Sequence, residues 1–351
     1  FFCFFNYSVF AYEEINVIGT SPGSGGSDAT STLPFKGQTL GFNELETNSY
    51  SDVVTALNSE FTGINFNSVQ GNPLQNDLSY RGFNASPLLG VSQGLSVYLN
   101  GARMNEPLGD EINWELFSTS LMKTVKLIGG GAPLYGRNSI GGTLLFESKT
   151  AFDDSRESLS METGSWGRER YTMQTSHISN NEKIGFLANV NYFEDDGWRE
   201  DSPSYSRNYY LSTSYRGPPV SVDITYFLLD SDLVGNGASP EQLLRLERDA
   251  IFTSPDSTQN ELNMFNFQSD YEFKNTSRIS VDAYYRVSKT LSFNGDGSEL
   301  TLCNFGQGDF LVEGLRANID RVGLLDSNVC SLGNPFGVTD IDSLEDALNN
   351  L

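Results

Sequence analysis

From Arg156 onward the chain repeats one pattern, and that pattern limits what it can build. "KIGFLANVNYF" sets Ile184, Phe186, Ala188, Val190 and Tyr192 on one side and Asn189 and Asn191 on the other. "VSVDITYFL" alternates Val220, Val222, Ile224 and Tyr226 with Ser221, Asp223 and Thr225. "RISVDAYYRVS" does the same with Ile279, Val281, Ala283, Tyr285 and Val287 against Asp282 and Arg286, and "ESLSMETG" groups Leu159, Met161 and Thr163. Successive side chains of a strand point to opposite faces, so each segment reads as a strand with one apolar and one wet face. Seven are expected, over 158–165, 169–179, 183–193, 205–216, 219–230, 261–273 and 277–290.

The connections between these strands are as informative as the strands. "SNNEK", "RGPP" and "KNTS" make tight turns after the second, fourth and sixth strands, while long segments follow the third, fifth and seventh. Short turns at one end and long loops at the other are the pattern of an antiparallel barrel that crosses a bacterial outer membrane. Such barrels close with an even strand number, and seven apolar strands would leave two aggregation-prone edges. The chain therefore reads as a fragment of a larger barrel. "DSLEDALNNL" agrees, since Ser343 caps a helix start that the last residue cuts short.

Composition excludes several other classes. Hydrophobic residues are 38% of 351, low for a large soluble core, while Gly (34), Phe (24) and Tyr (16) are abundant. Lys and Arg (22) against Asp and Glu (45) give a net charge of −23, which argues against a nucleic-acid partner. No run of 18 apolar residues makes a membrane-spanning helix. "FFCFFNYSVFA" resembles the tail of a secretory signal with cleavage after Ala11, so residues 1–11 are expected to be removed, Cys3 with them. Cys303 and Cys330 then form an even pair, expected as one disulfide in an oxidising compartment, with two free thiols the alternative.

Residues 12–49 begin with the strand-like "EEINVIGTSP" and continue as Gly/Ser/Thr/Asn-rich linker from residue 23. Residues 50–150 read as a small α+β domain. Val53, Val54 and Leu57 have helical spacing with Gly63 as a stop, and short strands follow over 77–83, 95–101, 122–130 and 141–149. Residues 151–351 carry the barrel strands.

Catalytic signatures fail on inspection. Gly19-Thr20-Ser21-Pro22-Gly23 matches a nucleophile elbow in letters only, because a flexible linker follows it where a helix is needed. The one histidine, His177, lies on a barrel strand and reads as an ordinary strand residue. "NGDGSE" (294–299) begins like a calcium loop but lacks its glycine and distal glutamate. No glycine-rich phosphate cradle opens a helix. No enzyme activity, cofactor or metal is expected.

The α+β domain carries a more specific signal. Arg81-Gly82-Phe83 at a strand end, "VYLNGARMNEP", "LIGGGAPLYG" and "SIGG" before a last strand ending at Lys149 occur in one order over about 75 residues. In this order and spacing they resemble the plug of TonB-dependent outer-membrane receptors. Gly82, Gly101, Gly136, Gly141 and Gly142 fall where strands turn sharply or backbones approach closely, and Arg81 and Asn100 are placed to bond neighbouring loops or the barrel wall. All of these serve plug folding as readily as ligand contact.

The resemblance implies a plug followed by a barrel of about 22 strands, and active import of a scarce ligand. It implies TonB as a partner, with ExbB and ExbD in the inner membrane, and outer-membrane lipid and lipopolysaccharide as surroundings. "EEINVIGTSP" then looks like a TonB box at Glu14, Ile15, Asn16, Val17, Ile18, Gly19 and Thr20, with Pro22 just past the pairing region. Added strands bind through backbone hydrogen bonds, and a tether of about 27 flexible residues reaches roughly 25–30 Å. With few residues ahead of the box, no signalling domain is expected there. A ferric siderophore or other iron chelate is the expected cargo, with cobalamin or another nutrient as the alternative and a passive porin or surface-binding barrel as the competing class. Expected ligand contacts at the outward apices are Gln70, Asn72, Asn84, Arg103, Asn105, Asp110 and Trp114. "SPEQLLRLERDA" (239–250) reads as a loop helix, at a binding mouth or merely at the surface.

Overall fold

The computed structural model describes residues 37–41, 44–45, 50–130, 135–274, 277–295, 300–304 and 309–313. The TonB-box residues Glu14 to Thr20, the signal-like segment and Cys330 lie outside the described residues. The α+β domain opens with strand β1 (Gly37–Gly41) and helix α1 (Val53–Glu60). Asp52 caps α1, its carboxylate accepting from the Thr55 N–H (2.8 Å) and the Thr55 hydroxyl (2.7 Å). The helix buries Val53, Val54, Ala56 and Leu57, the face its spacing predicts.

Seven further short strands complete the domain. They are β2 (Ile64–Asn67), β3 (Asp77–Tyr80), β4 (Phe83–Ala85), β5 (Leu95–Leu99), β6 (Ala102–Arg103), β7 (Met122–Gly129) and β8 (Gly142–Ser148). One sheet has the order β1-β7-β8-β5-β6, and β2-β3-β4 form a second. Among the described strands of this domain β5 and β8 pair in parallel and the other strand pairs are antiparallel. Val97, Leu99, Val125, Leu127, Leu144 and Phe146 from the larger sheet share one core with α1 and with Leu116 and Phe117.

Strand β1 corrects the linker reading of residues 23–49. Gly37–Gly41 pairs residue for residue with Ile128–Thr124 of β7. "GQTLG" offers one apolar side chain, Leu40, which is buried, so hydrophobic pattern alone conceals it. Backbone pairing and the Gln38 amide hold it: Nε2 donates to Thr62 O (3.1 Å) and Oε1 accepts from Thr62 N (2.7 Å).

The remaining strands form an antiparallel meander: β9 (Ser158–Thr163), β10 (Glu169–Ile178), β11 (Ile184–Asp195), β12 (Ser204–Gly217), β13 (Val220–Val234), β14 (Ser257–Glu272) and β15 (Arg278–Phe293). Its polarity is inside out. Ile184, Phe186, Val190, Tyr209, Leu211, Ile224 and Phe265 stand exposed, while Asn189, Asn191, Asn208, Ser212, Ser214, Thr225 and Asn266 are buried. An apolar outer face suits hydrocarbon, and the inner face is covered by the α+β domain. The wet face is nonetheless not wholly polar. Tyr210, Phe227 and Met264 sit side by side in register across β12, β13 and β14, with Leu229 beside Leu262 in the next row. All five are buried in the same core as the α+β domain, because this stretch of wall meets packed side chains.

The turn 179–183 is closed by Asn181, whose Oδ1 accepts from Ser179 Oγ (2.6 Å) and Lys183 N (3.1 Å). A second compact unit begins at residue 236 and resumes at 293. Its described part includes helix α2 (Glu241–Leu246), shorter than the 239–250 expected, and the hairpin of β16 (Leu300–Asn304) and β17 (Asp309–Glu313). Cys303 lies on β16.

Ile224, fifth of the fifteen residues of β13, stands on the apolar outer face between Thr213 and Phe267. Ile224→Arg is expected to cost about 2–4 kcal/mol at the bilayer midplane, read as a lower urea midpoint for the complete protein folded into lipid vesicles.

Candidate functional site

Two tight turns close hairpins of the domain, and one of them meets the wall. Arg81 and Gly82 join β3 to β4 with φ of 52° and 88°, and Asn100 and Gly101 join β5 to β6 with φ of 48° and 80°. Positive φ at both central residues defines a type I′ hairpin turn, which favours glycine second and tolerates asparagine first. The Asn100 side chain clamps the end of β8, accepting from Ser148 N (2.9 Å) and donating to Ser148 Oγ (2.7 Å). Its backbone carbonyl accepts from Asn266 (3.3 Å) and Gln268 (3.2 Å) of the wall. The Arg81 guanidinium lies 5.1 Å from the Tyr80 ring centroid. Gly141 admits the Phe83 ring so closely that a Cβ there would sit 2.3 Å from it, and Gly142 backs onto Ile128 O. Gly136 also adopts positive φ.

A further series of polar joints ties domain to wall. Asn72 donates to Ser204 Oγ and to Val234 O (3.3 Å). Glu115, in a 3-10 turn at Trp114–Leu116, meets three strands: its backbone carbonyl accepts from Asn208 (2.9 Å), and its Oε1 accepts from Ser231 (3.2 Å) and Asn260 (2.7 Å). Burial pushes its carboxyl pKa up. Glu106 accepts from Arg286 (3.1 Å) and Ser288 (3.2 Å) of β15, and Arg286 also donates to Met104 O (2.9 Å). The Tyr210 hydroxyl donates to Lys149 O (2.7 Å) and lies 2.9 Å from Ser148 Oγ.

The connection into the first wall strand is clamped as well. Asp153 accepts from Thr150 N (2.9 Å) and pairs with Lys123 (2.9 Å). Asp154 pairs with Arg156 (2.9 Å) and with buried Lys149 (3.6 Å). Burial raises the Asp154 pKa, but hydrogen bonds from Arg156 and Gln174 and the charge of Lys149 outweigh it and bring it to about 2.

The expected apex residues take varied places. Trp114 is a core residue, 2% exposed, its ring centroid 5.9 Å from that of Phe117, so it cannot meet a ligand without unpacking. Asn105 is buried and spends its amide on Val97 N (2.8 Å), Leu95 O (3.1 Å) and Asp110 O (3.2 Å). Gln70 and Asn72 are buried too, Asn72 at the wall. Asn84, half-buried in β4, exchanges backbone bonds with Gln93 (2.8 Å each). Arg103 and Asp110 form a partly exposed ion pair (3.1 Å), joined by the largely exposed Arg137, which also bonds Asp110 (3.2 Å). Arg137, Glu106, Glu115, Asn208, Asn260 and Arg286 are absent from the sequence-derived set. Their partners lie up to about 180 positions away, and the only sequence signal is polarity at inward-facing wall positions.

Comparison with known proteins agrees with this architecture. Residues 9–143 match the family described as the TonB-dependent Receptor Plug Domain. The unliganded ferric citrate transporter FecA superposes with a TM-score of 0.64 at 13% identity, covering 81% of this chain and 44% of FecA. The ferric-catecholate import receptor Fiu of E. coli K12 gives 0.61 at 15% identity, covering 77% and 41%, and the siderophore receptor PiuA of Acinetobacter baumannii gives 0.57 at 17%, covering 74% and 37%. No curated protein matches the sequence. The chain spans less than half the length of these structures. Residues 9–143 thus match a plug-domain family, and the strands that follow share the fold of part of these barrels, in a sheet open at both edges among the described residues.

Asp154 ionises more easily folded than unfolded, so its contribution is present above the ordinary carboxylate range near 3.8 and is lost as pH falls toward 2. Urea unfolding of the protein is expected to lose about 2 kcal/mol over that window, and Asp154→Asn to remove that pH-dependent component.

Proposed function

We propose that the protein imports a scarce ligand, most simply a ferric siderophore or other iron chelate, across the bacterial outer membrane in a TonB-driven cycle. The observation that carries the proposal is a wall with an apolar outer face whose inner face is filled by a tied-down plug. A passive pore needs an open lumen; a filled one needs work done on it before cargo passes. The similar structures are named for ferric citrate, ferric catecholate and siderophore traffic, which supports iron as the cargo class. In this reading Glu14 to Thr20 pair with TonB as an added strand, ExbB and ExbD power TonB from the inner membrane, and the short-turn end of the barrel faces the periplasm. Asn84, Arg103 and Asp110 remain the ligand candidates, now joined by exposed Arg137.

The topology suggests how such work would act. Asn100, at the end of β5, meets Asn266 and Gln268 in the half of β14 nearer the short turns, so β5 and parallel β8 run toward that end. Strand β7 runs away from it and β1 toward it again. Gly37, where the tether joins, therefore lies at the far end of β1. A pull toward the short-turn side peels the pairs from Gly37↔Ile128 one at a time, which takes less force than shearing all five together.

Val17→Pro in the complete gene is the direct test, since proline removes a ladder donor. With labelled ferric chelate and an iron-starved, receptor-deleted host, the parent is expected to accumulate iron and the variant to lose accumulation. Equal uptake in both would overturn the TonB-box assignment, and uptake of labelled cobalamin in place of iron would reassign the cargo. Cysteines at Thr39 and Lys126, paired across β1 and β7, are expected to block uptake when oxidised and restore it when reduced; uptake indifferent to the cross-link would overturn the peeling step.

A further inference from the structure

Glu115 occupies an unusual position for a carboxyl group. Its side chain is fully buried, and Oε1 takes both donors the wall offers it, Asn260 at 2.7 Å and Ser231 at 3.2 Å. Asn260 is itself oriented, because its Oδ1 accepts from Thr290 on β15 (2.8 Å), which turns its amide nitrogen toward Glu115. Oε2 has no partner among the described residues. As a carboxylate it would leave a charged oxygen buried and undonated, among the costlier arrangements in a protein interior. As an acid, Oε2 carries a proton and needs only an acceptor.

Beside it lies a pocket of about 20 Å³, lined in part by Trp114, Glu115, Ser206, Asn208, Asn191 and Arg170. That volume holds one water. Three of the lining side chains carry buried atoms with no partner among the described residues: Trp114 Nε1, Ser206 Oγ and Asn208 Oδ1. With the Glu115 acid proton they offer two donors and two acceptors, the complement of one water molecule. The charged groups around the pocket do not supply a counterion. Arg170 of β10 lies 3.8 Å from Glu162 of β9, and Asp52 is committed to Thr55 at the cap of α1.

We infer that Glu115 is the positioning residue that seats the plug on β12, β13 and β14, its carboxyl held as the neutral acid between Asn260, Ser231 and one buried water. The joint is then strong while the proton stays and weakens when it leaves, because ionisation buries a net charge with no counterion beside it. The direction in which burial moves the group agrees with the geometry. A folded pKa above the unfolded value means stability present at low pH and lost as pH rises through the folded value. The inference rests on the plug-in-wall fold and not on the cargo or on TonB, so transport and latch can fail separately.

The test uses the complete protein in detergent micelles, following amide exchange of Asn113–Leu121 as pH is raised from the ordinary carboxyl value of 4.5 to the alkaline limit of the fold, corrected for intrinsic rates. The wild type is expected to lose protection about tenfold across that range. Glu115→Gln, which keeps an acceptor for Asn260 and Ser231 and cannot ionise, is expected to stay protected and flat with pH. Glu115→Ala should exchange about tenfold faster throughout. Difference infrared spectra of wild type and Glu115→Gln at neutral pH should show a carboxylic-acid carbonyl band that the variant lacks. A wild type whose protection is as flat as that of Glu115→Gln, with no acid band, would overturn the neutral-acid joint even if Glu115→Ala does not fold. Unchanged protection in a folded Glu115→Ala would overturn the positioning role.

Discussion

Everything in this chain depends on a wall that is apolar on the outside and polar within. Hydrocarbon accepts the outward Ile, Val, Phe and Tyr side chains without asking anything of them. The inward Asn, Ser and Thr side chains are the demanding ones, because burial without a partner costs each of them about 1–3 kcal/mol. The plug supplies part of what they need: Glu115 to Asn208, Ser231 and Asn260, the Asn100 carbonyl to Asn266 and Gln268, and Asn72 to Ser204. Several inward atoms, on Ser176, Asn189, Ser212 and Thr225, have no partner among the described residues. Groups of this kind are ordinarily satisfied by ordered water.

The apolar contacts show which part of the plug is held most firmly. Tyr210, Phe227, Leu229, Leu262 and Met264 bind one side of the plug into a shared core. On that side the strand end at Ser148, the junction at Lys149–Arg156 and the Glu106–Arg286 pair add fixed points. Strand β1 at the opposite edge of the sheet has only five backbone pairs, one buried leucine and the Gln38 clamp. The plug is thus anchored along most of its length, at Asn72 and Leu74 as well as through its C-terminal half, and lightly closed at β1.

Much of this was legible in the residues, and the reasons are physical. A period of two over ten or more residues has no other reading than a strand with two unlike faces, and each of the seven expected segments is a strand. Arg-Gly and Asn-Gly between apolar runs point to sharp turns, because few residues accept positive φ. Other features were hidden. Trp114 and Asn105 lie in a polar, Gly- and Pro-bearing stretch that reads as a loop, yet one packs into the core and the other braces the backbone. Strand β1 carries too little hydrophobicity to announce itself, and Glu115 looks like any surface glutamate until the wall closes over it.

By itself, then, the sequence determined the alternation of faces, the sites of tight turns and the order of plug before barrel. The first two follow from local rules, which act over a few neighbouring residues; the third rests on the resemblance carried by the plug motifs. Only the tertiary structure decided which polar residues are buried together, which wall positions trade polarity for packing, and where the plug is held or free. Those depend on contacts between residues as far apart as Glu106 and Arg286, and no pattern along the chain encodes a distance across a fold.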